Sequence, residues 1–518
     1  MASRDANSSS GSHVVTETVV KSGAARSTRP TVALAVVLAA LTWVAVIAIT
    51  VPQAQSIGPQ PNGDYGFFTG VAERLIAGDR LYVDIWDNKD PFVFYSIALA
   101  RSFGIWGAWL LELLWIAAAA IAVWNIARWL EVPRALAIWA SAGATPLLMV
   151  GLPYFMGSTH IPGIALTLVA LAATIRDRPI VAGLVLAALT FFKLIMLPLG
   201  LAVVLVAIFT RRGTWTRIGV KQQLTWTLGA LGIGLIATAV LLALRGEFVP
   251  YLDAQLANVL YSQTPIVPVQ DPSLLRWIAQ HVVTLVNPHV LAILLTSGAL
   301  LVWFTWATRK ERTPRESSLW WIAGTAFVIE GLTVAAVSKW LHHALIFAVS
   351  SALIILLLAK GLARVKRGSS VLGVIALLVV TYPLMGVPSL STYSNAVSSI
   401  GGSIREAEKT DRVTAILQEM EPAPMAFIGA GNLVPRSLQL SDWSLACRHI
   451  AQRHFDSPRA FQETEECLPT AHVVVIAPDA EPRDGFPTYN AFLENARQQA
   501  SRERSCTQVD GFIVCSRS

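Results

Sequence analysis

The chain has 518 residues, of which 54% are hydrophobic and only 14% are charged. A soluble domain of this length would carry about 25% charged residues, so the composition excludes an ordinary soluble protein. The net charge of +7 does not indicate nucleic-acid binding, because the basic residues are dispersed among short loops between long apolar runs.

Apolar runs long enough to cross a bilayer, which takes about 20 residues each, recur through most of the chain. They predict an α-helical polytopic membrane protein with eleven spans. The pair at 180–193 and 194–210 is the weakest assignment, because Lys193 interrupts one long apolar run and each half is short. The predicted spans are 31–51, 106–130, 135–152, 157–175, 180–193, 194–210, 224–245, 288–308, 319–338, 340–360 and 370–388.

The distribution of lysine and arginine predicts which side of the membrane each loop faces. Twenty of these residues lie in segments assigned to one side of the spans, and eight lie in segments of the membrane part assigned to the other side. Positive charge is enriched on the cytoplasmic side, so the N-terminus is predicted to be cytoplasmic and, with an odd number of spans, the C-terminus to be outside. This predicts a disordered cytoplasmic tail (1–30), a transmembrane domain (31–388) with outer loops at 53–105 and 246–287, and an extracytoplasmic domain (389–518) in a multi-pass protein of the cell membrane.

All four cysteines lie in the last 72 residues, and none lies in the membrane part. Local pairing, Cys447 with Cys467 and Cys506 with Cys515, is the connectivity that we favour among the three that four cysteines allow. Disulfides indicate an oxidising compartment, in agreement with an outer C-terminus. Zinc binding is the alternative, but neither pair has the CxxC spacing of a typical zinc site.

The C-terminal segment has the pattern of a small α/β domain. MAFIGAG (425–431) and HVVVIAP (472–478) resemble buried strands that end in turns, and GFIVC (511–515) is the candidate last strand. A helix is predicted at 489–500. The FIGAG stretch lacks the full GxGxxG pattern of a dinucleotide-binding turn, so nucleotide binding is not favoured.

The stretch 61–103 follows the first span and gathers nine charged residues between positions 64 and 90. Apolar residues at helical spacing predict an amphipathic helix at 65–77 that lies on the outer leaflet. Asp64, at its start, fits either an N-cap or a functional site. Lys89 follows in the segment LYVDIWDNKDP, and a lysine at the membrane surface is suited to an anionic head group, the alternative being a solvated turn.

These residues resemble the first outer loop of the GT-C superfamily of membrane glycosyltransferases, which includes protein O-mannosyltransferases, aminoarabinose transferases and arabinosyltransferases. The likeness consists of a span, then DYG, an amphipathic helix that ends in glycine, and LYVDIWDNKDP before an aromatic stretch. It implies a GT-C-like fold and polyprenyl-phosphate sugar donors, with Asp64 as the base and Lys89 near the donor phosphate. The chain departs from the family at Tyr65, where many members have a second acid, and at Asp90, which replaces a proline.

Further polar residues on the predicted outer side are secondary candidates for the site. A charge at membrane depth is costly and often functional, but packing or capping explains a histidine equally well, and snorkelling to the surface explains a lysine. The resemblance associates a basic or histidine-bearing span with the lipid donor. The candidates are His160, Lys193, Lys339, His342 and His343, together with Asp84 and Asp87 for acceptor binding or for holding Lys89.

The function that the resemblance implies is hexosyl or pentosyl transfer from a polyprenyl-phosphate-linked donor to a cell-envelope glycan, lipid or protein, by a single inverting displacement. Asp64 would orient or deprotonate the acceptor hydroxyl, and Lys89 would stabilise charge on the departing phosphate. The alternatives are a transporter or flippase of a lipid-linked substrate and a non-catalytic subunit of envelope assembly. The predicted partners are the donor, the acceptor and the bilayer, with no nucleic acid; no cofactor is assigned, and a divalent metal requirement stays open.

Overall fold

The chain is described here by a computed structural model. The described residues are 29–55, 64–104, 106–151, 157–210, 218–263, 288–307, 311–337, 341–363, 412–429, 442–450, 452, 457–478, 480–482 and 486–517. Of the predicted disordered tail, residues 1–28 lie outside this set, as does the predicted eleventh span at 370–388.

The membrane part is helical because its sequence consists of apolar runs separated by short polar turns. Proline stands in the first turn of α3 and of α8, where its missing N–H costs no hydrogen bond. The helices are α1 (Arg29–Gln55), α2 (Asp64–Ile76), α3 (Pro91–Arg101), α4 (Gly107–Trp129), α5 (Arg134–Ile138), α6 (Thr145–Gly151), α7 (His160–Ile175), α8 (Pro179–Phe192), α9 (Leu197–Thr210), α10 (Val220–Leu244), α11 (Phe248–Gln263), α12 (Pro288–Ala307), α13 (Pro314–Val337) and α14 (Ala348–Leu362). A π-helical segment (Trp139–Ala144) joins α5 to α6, and 3₁₀ turns precede α9 (Leu194–Met196) and α14 (Leu341–Phe347).

Six helical stretches among the described residues are long and apolar enough to cross a membrane, which makes this a multi-pass membrane protein. Shorter apolar helices, including α7, α8 and α9, complete the bundle. The predicted count of eleven spans is not confirmed, because several of the predicted spans are shorter helices and one lies outside the described residues. The six are Pro30–Val51, Gly107–Trp129, Arg134–Gly151, Val220–Leu244, Pro314–Ala335 and His343–Leu362.

Helices α8 and α9 fold back on each other around Lys193. A Cβ atom on Gly200 of α9 would lie 2.6 Å from Leu189 and 3.0 Å from Leu186, both in α8. In a continuous helix these positions would be more than about 15 Å apart, so the chain reverses direction between them. The two predicted segments at 180–193 and 194–210 are therefore separate helices of a hairpin, with Lys193 at its tip.

Helix α2 forms nearly where it was predicted, but its apolar side faces the protein rather than lipid. Phe68 and Val71 are fully buried, and the Phe68 ring meets the Phe94 ring of α3 edge-on at 5.4 Å. Arg74 is buried as well, and its Nε donates to Asp79 at 2.7 Å. The prediction that this helix lies with its apolar face on the outer leaflet is therefore wrong, because that face packs inside the bundle.

The C-terminal part contains a four-stranded sheet in the order β1-β2-β4-β3. The β1–β2 pair is parallel and the other two pairs are antiparallel. The strands at MAFI and VVVI, the following helix and the last strand were all predicted, whereas β3 was not. The elements are β1 (Met425–Ile428), α15 (Pro458–Cys467), β2 (Val473–Ile476), α16 (Pro487–Arg502), β3 (Ser505–Val509) and β4 (Phe512–Ser516).

Two disulfides join the four cysteines in the predicted pairs. Cys447 pairs with Cys467 at the end of α15, with 5.5 Å between their Cα atoms. Cys506 and Cys515 are directly opposite each other in the β3–β4 ladder and also form a disulfide. The local connectivity is confirmed, and in these pairs it leaves no thiol for zinc.

Candidate active site

The Lys89 turn lies at one end of the bundle, where α3 begins, α7 begins and the α8–α9 hairpin has its tip; we call this the loop end. The Asp87 carboxylate accepts a hydrogen bond from the Lys89 backbone N–H at 2.8 Å, which closes a tight Asx turn. The Lys89 ammonium donates to the Asn88 side chain at 2.9 Å and lies 5.8 Å from the centre of the Phe68 ring. Asp87, Asn88 and Asp90 are buried, whereas Lys89 is partly exposed, so solvent reaches the lysine of this turn more readily than its neighbours.

Two lysines act electrostatically on the two buried carboxyl groups of this turn. Burial raises the pKa of Asp90 to about 6, against the opposing effects of the Leu194 backbone N–H and of the Lys193 and Lys89 charges. Burial also raises the pKa of Asp87, which the same two lysines oppose. The structure thus brings Lys193, from the hairpin tip, into the same electrostatic environment as the Lys89 turn, 104 positions away in sequence.

Asp90 joins three separate parts of the loop end. One carboxylate oxygen accepts the Leu194 backbone N–H at 3.1 Å, at the start of the 3₁₀ turn before α9. The other accepts a hydrogen bond from the Tyr251 hydroxyl of α11 at 3.3 Å. A proline could accept neither bond through its side chain. Asp90 is therefore a structural junction among the first loop, the hairpin and α11.

The basic candidates on α7 and the hairpin also lie at the loop end. The Lys193 ammonium donates to the Thr159 hydroxyl at 2.7 Å, just before α7. His160 is buried, lies 3.4 Å from the Ser158 hydroxyl through its Nδ1, and packs its ring 5.0 Å from the ring of His343. Lys193, His160 and His343 are thereby gathered at one membrane end, as a group of basic side chains beside the Lys89 turn.

A cleft adjoins this group between α3, α4 and the start of α7. Most of its wall is apolar, but the buried Glu112 carboxylate lies in it, a residue that the sequence did not single out as a site candidate. The lining residues are Val93, Ser96, Ile97, Ala108, Leu111, Glu112, Trp115, Gly157, Ser158, Thr159, Pro162 and Phe192.

The second outer loop contributes polar contacts that sequence reasoning missed. Glu247 is fully buried and accepts hydrogen bonds from the Leu81 backbone N–H, at 3.1 Å, and from the Tyr95 hydroxyl. The Asn88 side chain donates to Asn258 of α11 at 3.0 Å. These bonds fix the first loop to the segment 247–258, and no local pattern in the sequence could have indicated them.

Asp84 does not contact Lys89. It forms an ion pair with Arg80 one turn away, with 3.0 Å between Arg80 Nε and the carboxylate, and this bond lowers the pKa of Asp84. Among the described residues, no group of three or more histidine, cysteine, aspartate or glutamate side chains is arranged to hold a metal ion.

Four of the predicted or discussed residues have side chains outside the described part of the structure. Helix α2 begins at Asp64, a position that is compatible with both the capping role and the catalytic role predicted for this residue. The side chains of Asp64, Tyr65 and His342, and Lys339 as a whole, lie outside the described set. Their roles stay predictions.

The whole structure is similar to solved structures of the archaeal oligosaccharyltransferase AglB from Archaeoglobus fulgidus, a GT-C superfamily membrane glycosyltransferase. The structure of that enzyme in complex with an inhibitory peptide and a dolichol-phosphate matches at a TM-score of 0.47 and 12% identity, over 94% of this chain and 74% of the other. The apo form matches at a TM-score of 0.49 and 14% identity, over 92% and 73% of the two chains. At this level of similarity the match does not bear on activity. No family model and no curated protein sequence matches the chain.

Proposed function

We propose that the chain is an integral membrane glycosyltransferase that moves a sugar from a polyprenyl-phosphate-linked donor to a cell-envelope glycan, lipid or protein. The loop end is the reaction side, and we place it, with the C-terminal sheet, on the outer face of the membrane. The observation that carries the proposal is the partly exposed Lys89 side chain, held on an Asx turn that Asp90 joins to the hairpin tip beside Lys193.

Lys89 and Lys193 are the groups to which we assign the donor phosphate. When the glycosidic bond to phosphate breaks, negative charge grows on the departing phosphate, and fixed cations stabilise that charge without having to reorganise. Asp87 and Asn88 hold the Lys89 turn in place before substrate arrives. The Asp87 carboxylate closes the turn, and the Asn88 side chain accepts a hydrogen bond from the Lys89 ammonium.

Asp64 is the residue to which we assign the acceptor. Its carboxylate would orient or deprotonate the acceptor hydroxyl, whose oxygen then attacks the anomeric carbon while polyprenyl phosphate leaves. One displacement inverts the anomeric configuration. The family resemblance at DYG supports this assignment. The panel of donor sugars described below tests whether the chain transfers a hexosyl or a pentosyl group.

The experiment uses the full chain purified into lipid nanodiscs with a panel of polyprenyl-phosphate sugars. We expect transfer to fall by about 10²- to 10³-fold in Lys89→Ala, as for removal of one stabilising group from a charged transition state. Lys360→Ala is the matched control, because Lys360 donates to the Glu131 carbonyl at the opposite end of the bundle. Asp64→Asn tests the base, and parallel reactions with a chelator test the metal requirement.

Three results would contradict the proposal. If wild type transfers no sugar but, after reconstitution into sealed vesicles, moves the intact lipid between leaflets, the chain is a transporter or flippase. If it does neither alone and only supports transfer by another protein, it is an assembly subunit. If transfer occurs and Lys89→Ala behaves like Lys360→Ala, the phosphate has been assigned to the wrong cation.

A further inference from the structure

A short segment of the C-terminal part, residues 442–450, connects the sheet to the first outer loop; we call it the strap. On one side it pairs with β1, where the Met425 backbone N–H donates to the Ser444 backbone carbonyl at 2.9 Å. On the other side the Trp86 backbone N–H donates to the Arg448 carbonyl, also at 2.9 Å. The Cys447 disulfide ties the same segment to α15. The strap is therefore fixed from three directions, and one of them is the loop that carries Lys89.

Arg448 is the strap side chain that reaches the loop backbone. Its Nη1 donates to the Tyr82 carbonyl at 3.1 Å, while its Nε donates to Glu463 of α15 at 2.9 Å. Hydrogen bonds from His449 and Arg448 lower the pKa of Glu463 to about 2, so this carboxylate is ionised at neutral pH. The Arg448 side chain thus has one end anchored in the C-terminal part and the other on the first loop.

Tyr82 passes this constraint to the Lys89 turn. Its φ angle is +66°, in the left-handed region that a bulky residue adopts only when its surroundings hold it there. Tyr82 is fully buried, and its hydroxyl donates to the Lys89 carbonyl at 2.6 Å. Tyr82 therefore accepts a hydrogen bond from Arg448 through its backbone carbonyl and donates one to the Lys89 carbonyl through its hydroxyl.

We propose that Arg448 is a positioning residue of the active site, which acts through Tyr82 to set the place of the Lys89 ammonium. On this basis the C-terminal part is a component of the phosphate-binding machinery, in contact with it through the strap. The inference rests on the proposed role of Lys89 in donor binding.

The test compares Arg448→Ala with Arg459→Ala. Arg459 is the matched control because it also donates to Glu463, at 2.9 Å, while its other described ion pair, 3.8 Å to Asp253 of α11, joins two exposed side chains and does not reach the first loop. Two readouts are used: hydrogen exchange of the amides in 80–90, and the donor KM and acceptor KM in the transfer assay. Intact-mass analysis without reductant checks that the Cys447 disulfide still forms in each variant.

We expect faster amide exchange in 80–90 and a donor KM raised about tenfold in Arg448→Ala, the size of one lost charge-assisted hydrogen bond, with the acceptor KM unchanged. Arg459→Ala should match wild type in both. Tyr82→Phe should also raise the donor KM, and the double variant of Arg448→Ala and Tyr82→Phe should be no worse than the worse single, because both act through one chain of contacts.

The outcomes separate this inference from the proposed function. If wild type transfers sugar and Arg448→Ala changes neither exchange nor donor KM, the inference is overturned while the proposed function stands. Additive effects of the two substitutions would also overturn it. If wild type transfers no sugar from any donor but Arg448→Ala loosens 80–90 and Arg459→Ala does not, the structural link is supported and the proposed function fails.

Discussion

Replacing Asp90 by asparagine is expected to stabilise the chain at neutral pH and to have little effect in acid. The folded state raises the pKa of this buried carboxyl to about 6 from the ordinary 3.8. The folded chain therefore binds the Asp90 proton more tightly than the unfolded chain does, and the contribution of Asp90 to stability is greatest below pH 4 and is lost as the pH rises through 6. At about 1.4 kcal/mol for each pKa unit, the loss is about 3 kcal/mol.

Asparagine imitates the protonated form of Asp90 because its carbonyl can still accept the Leu194 N–H and its amide can face the Tyr251 hydroxyl. Thermal unfolding of the two proteins in detergent, at half-unit steps between pH 4 and 8, measures the difference. The curves should lie closest together at pH 4 and separate progressively up to about pH 6.5, with roughly a third of the full difference already present at pH 4.5. If the difference in stability between the two proteins were the same at every pH, burial would not have raised the pKa of Asp90 and the reasoning would be refuted.

The Tyr251 hydroxyl provides a second check on the same reasoning. Its hydrogen bond favours the ionised form of Asp90 and opposes the effect of burial on the pKa. Tyr251→Phe should therefore raise the pKa of Asp90 further, so that the stability contributed by Asp90 is lost at a higher pH, closer to neutrality, than in wild type. In a protein that already carries Asp90→Asn, Tyr251→Phe should cause no such shift in pH.

Three further results are expected from other parts of the molecule. Cys447→Ser should destabilise the C-terminal part by about 3 kcal/mol in chemical unfolding, because its disulfide closes a loop with a sequence separation of 20, and an unchanged midpoint would count against the pairing. Gly183→Val should abolish recovery of folded protein, since a Cβ there would lie 2.2 Å from a backbone oxygen of α10, whereas Gly229→Ala, with nothing within 4 Å, should express normally. Asp253→Cys should react with a membrane-impermeant maleimide in intact cells and Glu131→Cys only in permeabilised ones; the opposite pattern would reverse the proposed orientation.

Much of the fold could be predicted because its signals are local in sequence. The helix at Asp64–Ile76, the strands at 425–428 and 473–476, and the break at Lys193 each follow from patterns within about 15 residues. The two disulfides were also local, with sequence separations of 20 and 9. The span count was not recoverable in the same way, because hydropathy does not distinguish a full span from a shorter buried helix.

The arrangement of the site was much less predictable. Asp90 contacts residues 104 and 161 positions away, and Arg448 contacts Tyr82 over 366 positions. Such contacts depend on how helices pack, which hydrophobic periodicity does not specify. The error on α2 has the same origin, since an apolar face that is suited to lipid is equally suited to the side of α3. Residue types at the loop predict a chemistry for it, whereas the contacts that hold the loop are visible only in the tertiary structure.

The hairpin of α8 and α9 is short compared with the membrane. Each helix has 14 residues and is about 21 Å long, whereas α10, against which α8 packs, has 25 residues and is about 37 Å long. The hydrocarbon layer is about 30 Å thick, so a hairpin whose other end approaches one surface leaves its tip about 9 Å short of the opposite one. The space above the tip is occupied by protein, because Asp90 of the first outer loop accepts the Leu194 backbone N–H and the Phe191 ring lies 6.0 Å from the Tyr251 ring of α11. On the proposed function, the donor head group would therefore have to reach a site below the average plane of the membrane surface.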